Sequence, residues 1–377
     1  MTFFLYLLIG CNESKDDDSA VTVEDSIPAE CQDVWEDELF VYLHDSLDTI
    51  AIENRPSWVE FYPHQEAFLL YATNSTASAH CYFLWADAGE TKEYTVLSEP
   101  PYRPEIGPNI SLPYGYLWPW TSSDSSHWAS IIDAYGTQPT DLQEWTSSFG
   151  VQFAPIVSAT RSLSDEWYAP FGQTATDIMN LQILVHEGFH VSMQSPSWMQ
   201  QAEYSFPEWG TMAISQDLED CYPNSIRTEQ EHLVEAMSAL FDDANSDVCT
   251  QAKDFVANRT TRWEDLQSIQ VSLLSGESQS CEVAENHMEL LEGLADYTSW
   301  FYLHNLGLAS DTDTYTYMNA MSNTPYYRTG AIQLYILQHW LGDDFDNVGL
   351  EIYNATSVNE GSIYDIFRRE TETRCSN

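Results

Sequence analysis

Positive charge is what this chain has least of. Its 377 residues include 13 lysines and arginines against 59 aspartates and glutamates, a formal net charge of −46. Only Lys15, Lys92 and Lys253 are lysines. A surface this acidic repels phosphate backbones and anionic headgroups, which excludes nucleic acid as a partner and charge-driven docking on a membrane. Phosphate-cradling loops are missing too: there is no GxxxxGK[ST] and no GxGxxG, so nucleotide binding has no footing. The GxSxG elbow that presents a serine nucleophile is absent. No CxxC pair occurs, which argues against a thiolate zinc site. The acidic runs Asp16–Asp18 and Asp311–Asp313 lack the glycine and terminal glutamate of a calcium loop. They read as solvated charge.

What is there suffices for a folded core. Hydrophobic residues make up 43% and aromatics 14%, enough for a sizeable core in one large domain or two modest ones. The N-terminus, MTFFLYLLIGC, is apolar from Phe3 to Ile9. That run is too short to span a bilayer as a helix but suits the core of a signal peptide. Leu8-Ile9-Gly10-Cys11 resembles the bacterial lipobox, although no basic residue precedes the run. The resemblance implies a signal peptide over 1–11 and export with a lipid anchor at Cys11. Asn12, where an aspartate would signal inner-membrane retention, favours the outer membrane or cell surface. Residues 12–30 read as a flexible acidic tether. Lipidation of Cys11 leaves six cysteines, Cys31, Cys81, Cys221, Cys249, Cys281 and Cys375, an even number that fits up to three disulfides in an exported protein.

Residues 31–160 read as a small α+β region. Trp58–Pro63, His80–Ala86, Glu93–Leu97 and Val151–Ser158 are strand-like, the last at a sheet edge because of Pro155, and Gln65–Tyr71 reads as a short helix. The proline- and aromatic-rich stretch 101–120 is irregular, and its run Tyr114–Trp120 reads as a packed loop covering the core, with the lining of a cleft as the alternative. From about residue 174 the periodicity turns helical. Thr176 or Asp177 caps a helix running to about Gln194. Further helices are expected over Thr228–Ala244, Glu282–Leu306 and Arg328–Leu341. The expected class is α+β: a small N-terminal sheet region, then a mostly helical portion over 161–377.

The chemistry sits in His186-Glu187-Gly188-Phe189-His190. On a helix, residues four apart share a face, so the imidazoles of His186 and His190 can meet one zinc ion. Glu187 between them is the expected general base for a water activated by that ion. Apolar flanks (Ile183, Leu184, Val185, Phe189) weigh against two ordinary polar histidines, since burying such groups unpartnered is costly. The third ligand separates the zinc families. A three-histidine HExxHxxGxxH extension is excluded, because Met193 and Pro196 stand where its glycine and histidine would be. The remaining route is a carboxylate from a second helix. Glu292, with Asp296 one turn later, fits, and Asp296 could then accept from the outer nitrogen of a ligating histidine. Glu289, His287, His304, Glu229, His232 and Glu235 compete for the same role.

HExxH paired with ExxxD resembles the gluzincin metallopeptidases. The resemblance implies a zincin-like catalytic portion with His186, His190 and Glu292 as zinc ligands, Glu187 as base and Asp296 behind the ligands. It implies hydrolysis of a peptide or protein substrate. It covers the two motifs and their helices only. The 101 residues between His190 and Glu292 exceed the usual gluzincin spacing. Tyr327, in the run Tyr326-Tyr327-Arg328 at a helix start, is the candidate donor to the developing oxyanion. The alternatives are a zincin-like surface binding lipoprotein with little or no hydrolysis, and a zinc hydrolase of a non-peptide amide.

Overall fold

The computed structural model describes residues 32–50, 67–73, 80–87, 92–97, 156–158, 176–192, 218–223, 226–242, 245–272, 278–320, 325–355 and 361–376. The signal peptide, the tether, Trp58–Pro63, the 101–120 stretch and Cys31 fall outside them. The class is α+β, and most described residues are helical.

Two helices open the chain, α1 (Gln32–Trp35) and α2 (Glu38–Ile50). A four-stranded sheet follows, built from β1 (Ala67–Thr73), β2 (His80–Asp87), β3 (Lys92–Leu97) and β4 (Ile156–Ser158), in the order β3-β2-β1-β4. β1 and β2 pair antiparallel, with Leu69 opposite Leu84, and β4 joins β1 in parallel. The short helix expected over Gln65–Tyr71 is therefore a strand. Each of the seven residues Ala67–Thr73 finds a cross-strand partner on β2, and that pairing outweighs a weak local helical preference. β4 lies at a sheet edge as expected.

The helical portion begins with α3 (Asp177–Ser192), capped by Thr176, whose hydroxyl accepts from the Met179 amide at 3.4 Å. α4 (Ile226–Phe241) buries Leu233, Ala236 and Met237 and packs along α5 (Asn245–Asp265). A two-stranded ribbon, β5 (Gln270–Ser272) with β6 (Ser278–Ser280), leads into the central element. This is one continuous helical rod: α6 (Cys281–Met288), a π-helical turn (Glu289–Gly293) and α7 (Leu294–Asn305). Sequence periodicity places Leu291, Leu294, Ala295 and Thr298 near one stripe of this helix. Instead every residue from Ala284 to Trp300 is buried, as happens when a helix is enclosed on all sides. A Schellman motif ends α7: Gly307, at φ 71°, donates to His304 O and Leu308 donates to Leu303 O.

α8 (Asp311–Asn319) starts at a capping box in which Ser310 and Asp313 bond reciprocally. α9 (Tyr326–Leu341), α10 (Asp346–Asn354) and α11 (Ile363–Arg374) complete the chain. Disulfides join Cys221 to Cys281 and Cys249 to Cys375. α3 packs on α7, and α9 packs on both the π turn and α7.

The α9 contact is made backbone to backbone. A Cβ on Gly293 would lie 2.7 Å from Gly330 Cα, and one on Gly330 would lie 2.9 Å from Gly293 Cα and 3.0 Å from Glu289 O. No rotamer change relieves such a clash, so Gly330→Ala must push the two helices apart. Alanine's better helix propensity returns only about 1 kcal/mol. Urea unfolding is expected to show a net loss of about 1–3 kcal/mol, the usual cost of overpacking. Unchanged stability would rule out the close approach.

Candidate metal centre

His186 lies in the middle of α3, and the rod faces it with Glu292 from the π turn and Asp296 from the first turn of α7. All three are buried. His186 Nδ1 is 2.9 Å from Asp296 Oδ1, and Nε2 is 3.2 Å from Glu292 Oε2. A carboxylate only accepts, so the proton on Nδ1 points at Asp296. Nε2 then turns its lone pair toward a second acceptor. Either a proton or a metal cation must lie between Nε2 and Glu292. Burial works against a charged ring, but the hydrogen bonds and charges of Asp296 and Glu292 outweigh it and raise the His186 pKa to about 10.

Asp296 is the hub. Its Oδ1 also accepts from Gln182 Nε2 at 3.0 Å, and its Oδ2 accepts from the Tyr317 hydroxyl at 2.8 Å. Gln182 bonds Ser299 Oγ as well, at 2.9 Å. Burial and the Asp296 charge push the Tyr317 phenol well above its ordinary range, so it remains a donor. The Arg328 guanidinium lies 4.6 Å from the Tyr317 ring, and its Nε donates to Tyr317 O. Arg328 thus braces Tyr317 from behind. Neither Gln182 nor Tyr317 was expected here. Gln182 stands one helical turn before His186, a spacing that could have flagged it. Tyr317 carries no comparable signal, because only the tertiary path of α8 brings it in.

Tyr327 enters the site as an aromatic neighbour. Its ring stacks on that of His186, with centroids 6.0 Å apart. The helix runs unbroken through Glu187 and His190, whose side chains lie outside the described residues, as does the 114–120 stretch. Among the described residues no group of three or more His, Cys, Asp or Glu is placed to hold a metal ion. The described pair nonetheless suits zinc chemically. It combines an imidazole nitrogen with a carboxylate oxygen, and tetrahedral zinc with ordinary bond lengths holds two such atoms about 3.3–3.5 Å apart.

The competing ligands are engaged elsewhere. Glu289 accepts from Arg259 at 2.7 Å and from Gln333 at 3.0 Å. Glu229 is held by Arg259 and Arg262, His232 by Gln251, and His304 by Asp311. Glu235 is exposed. His287 is buried, and that burial drives its pKa down to about 3. The π turn explains why Glu289 and Glu292 part company. Its i→i+5 bonding widens the helix, so residues three apart no longer share a face as they would on an α-helix.

Glu289 belongs to a buried ionic network that the sequence reading overlooked. Arg259 and Arg262, three apart on α5, face Glu229 of α4, Glu285 of α6 and Glu289 of the π turn. Trp263 also donates to Glu285, at 2.8 Å. Burial would raise the Glu229 pKa, but the two guanidiniums hold it below the usual carboxylate range. At Glu289 burial prevails over Arg259 and the pKa is raised.

No family model, curated protein or solved structure matches this chain. The functional reading therefore rests on the site itself.

The raised His186 pKa sets a pH dependence. In the metal-free protein the charged ring stabilises the fold fully below pH 6.5, its ordinary pKa, and that contribution is lost as pH rises through about 10. A metal at Nε2 must displace the same proton. Zinc affinity is therefore expected to climb with pH between about 5.5 and 8, by up to tenfold per unit for this one proton. Calorimetric titration in buffers of different ionisation enthalpy reads the proton release directly. A flat profile would remove His186 from the ligand set.

Proposed function

We propose that this protein is a zinc-dependent metallopeptidase with a gluzincin-like, zincin-type helical core. The observation that carries the reading is the buried Asp296–His186–Glu292 line, in which an imidazole held by one carboxylate through Nδ1 turns Nε2 toward another. His186, Glu292 and, from the motif, His190 would hold the ion. Bound zinc would supply Lewis-acid polarisation of the scissile carbonyl and acidify a water.

The chain's own groups would do the rest. Asp296 holds the His186 Nδ1 proton, keeping Nε2 available as a ligand. Gln182 and Tyr317 hold Asp296 in turn. Glu187 takes the proton of the attacking water and delivers it to the leaving amine. Tyr327, beside the His186 ring, is the candidate donor to the oxyanion. The two disulfides support an oxidising compartment, in keeping with export and a lipid anchor at Cys11.

A peptide-library digest by the zinc-loaded protein tests this. Wild type is expected to cleave, and Glu187→Gln should lower kcat/KM by about 10²–10⁴ while keeping its zinc. Cleavage that survives in Glu187→Gln would remove the base. Zinc bound without any cleavage would favour a binding role or a non-peptide amide as substrate.

A further inference from the structure

A second concavity lies among α4, α7, α8 and α9, and its walls include none of the residues around His186. Its volume is about 560 Å³, within the range of small-molecule sites. Met237 and Leu240 from α4, Phe301 from α7 and Tyr335 from α9 supply apolar and aromatic walls, while Asp311 and Asp343 supply carboxylates. Phe241, also in the wall, is 42% exposed, the most exposed large hydrophobic side chain among the described residues. Met237 belongs to the core and Leu240, Phe301 and Tyr335 pack against it, so the cavity opens on the outer side of the core, away from the proposed catalytic site.

We propose that this cavity binds a small hydrophobic organic cation: an ammonium group carried on an aromatic or branched aliphatic body. The walls can take an apolar body out of water, and the faces of Phe241, Phe301 and Tyr335 attract positive charge. Asp311 and Asp343 can accept charge-assisted hydrogen bonds from the ammonium. Asp311 already accepts from His304 Nε2 at 2.8 Å through one oxygen, which orients its carboxylate. An anion of the same shape meets two aspartates and the field of a chain at −46. The inference is independent of zinc and of catalysis.

Calorimetry and NMR with 2-phenylethylamine, 2-phenylethanol and 3-phenylpropionate test it, at about 0.15 M salt to screen the general surface field. The amine is expected to bind saturably at one site, with the alcohol and the acid at least about tenfold weaker. Asp343→Asn should weaken the amine about tenfold, and Asp311→Asn should weaken it as well. Asp254→Asn, an exposed carboxylate on α5, should leave it unchanged. No saturable amine binding up to about 10 mM, equal binding of the alcohol, or an equal loss in Asp254→Asn would each overturn the proposal.

Discussion

Glu292→Ala is expected to lower zinc affinity more than about 100-fold, and Asp296→Asn by about 10–100-fold, the usual penalty for losing an outer partner of a ligating histidine. The two variants separate direct from indirect support. Glu292 faces Nε2, where the ion would sit. Asp296 acts from the far side of the ring, through Nδ1. Asparagine at 296 can still accept from Nδ1 through its amide oxygen, so orientation is partly kept while the charge is lost. Competition with a chromophoric chelator measures both affinities. If Glu292→Ala binds zinc at full strength, Glu292 is not the third ligand, and the gluzincin-like reading falls with it. Equal losses in the two variants would mean that Glu292, like Asp296, supports the site without touching the ion.

The second large effect concerns stability. Arg259→Met is expected to cost about 3–5 kcal/mol in urea unfolding, because it leaves Glu229 and Glu289 buried without their main counter-charge. At about 2–4 °C per kcal/mol for a domain of this size, the midpoint of thermal unfolding should fall by roughly 6–20 °C. An exposed arginine pair would give well under 1 kcal/mol, so a small loss would mean that water reaches the network. Arg259 also clamps Glu289 at the first position of the π turn that carries Glu292. The same variant should therefore bind zinc more weakly. A stability loss with unchanged zinc affinity would show the two ends of the turn to be mechanically independent.

Much of the site was legible because it is local. His186 lies inside a periodic apolar run with a capping threonine in front, and Glu292 and Asp296 stand four apart in another such run. The HExxH motif and the Glu292/Asp296 pair, read with helical spacing, nominated them. The strand at Ala67–Thr73 was missed because its pattern, Phe-Leu-Leu-Tyr, is compatible with either period, and only the partner strand decides. The buried network was missed for a related reason. Helix α5 is polar along most of its length, and nothing local distinguishes Arg259 and Arg262 from solvated charges until three acidic residues from other segments arrive. Glu289 is the instructive case. Its α-helical spacing from Glu292 made it a rival ligand, and the π turn turned that rival into an anchor. A one-residue change in helical pitch cannot be read from composition.

The two disulfides interleave, since Cys249 lies inside the span closed by Cys221 and Cys281 while Cys375 lies beyond it. Any single backbone cut between 221 and 375 is therefore bridged by at least one of them, and a cut between 249 and 281 by both. A nick there would leave one covalent molecule, visible as two pieces only after reduction. Two cuts that fall in different intervals between these four cysteines, one in 221–249 and one in 281–375 for instance, still leave every piece tied to another by a disulfide.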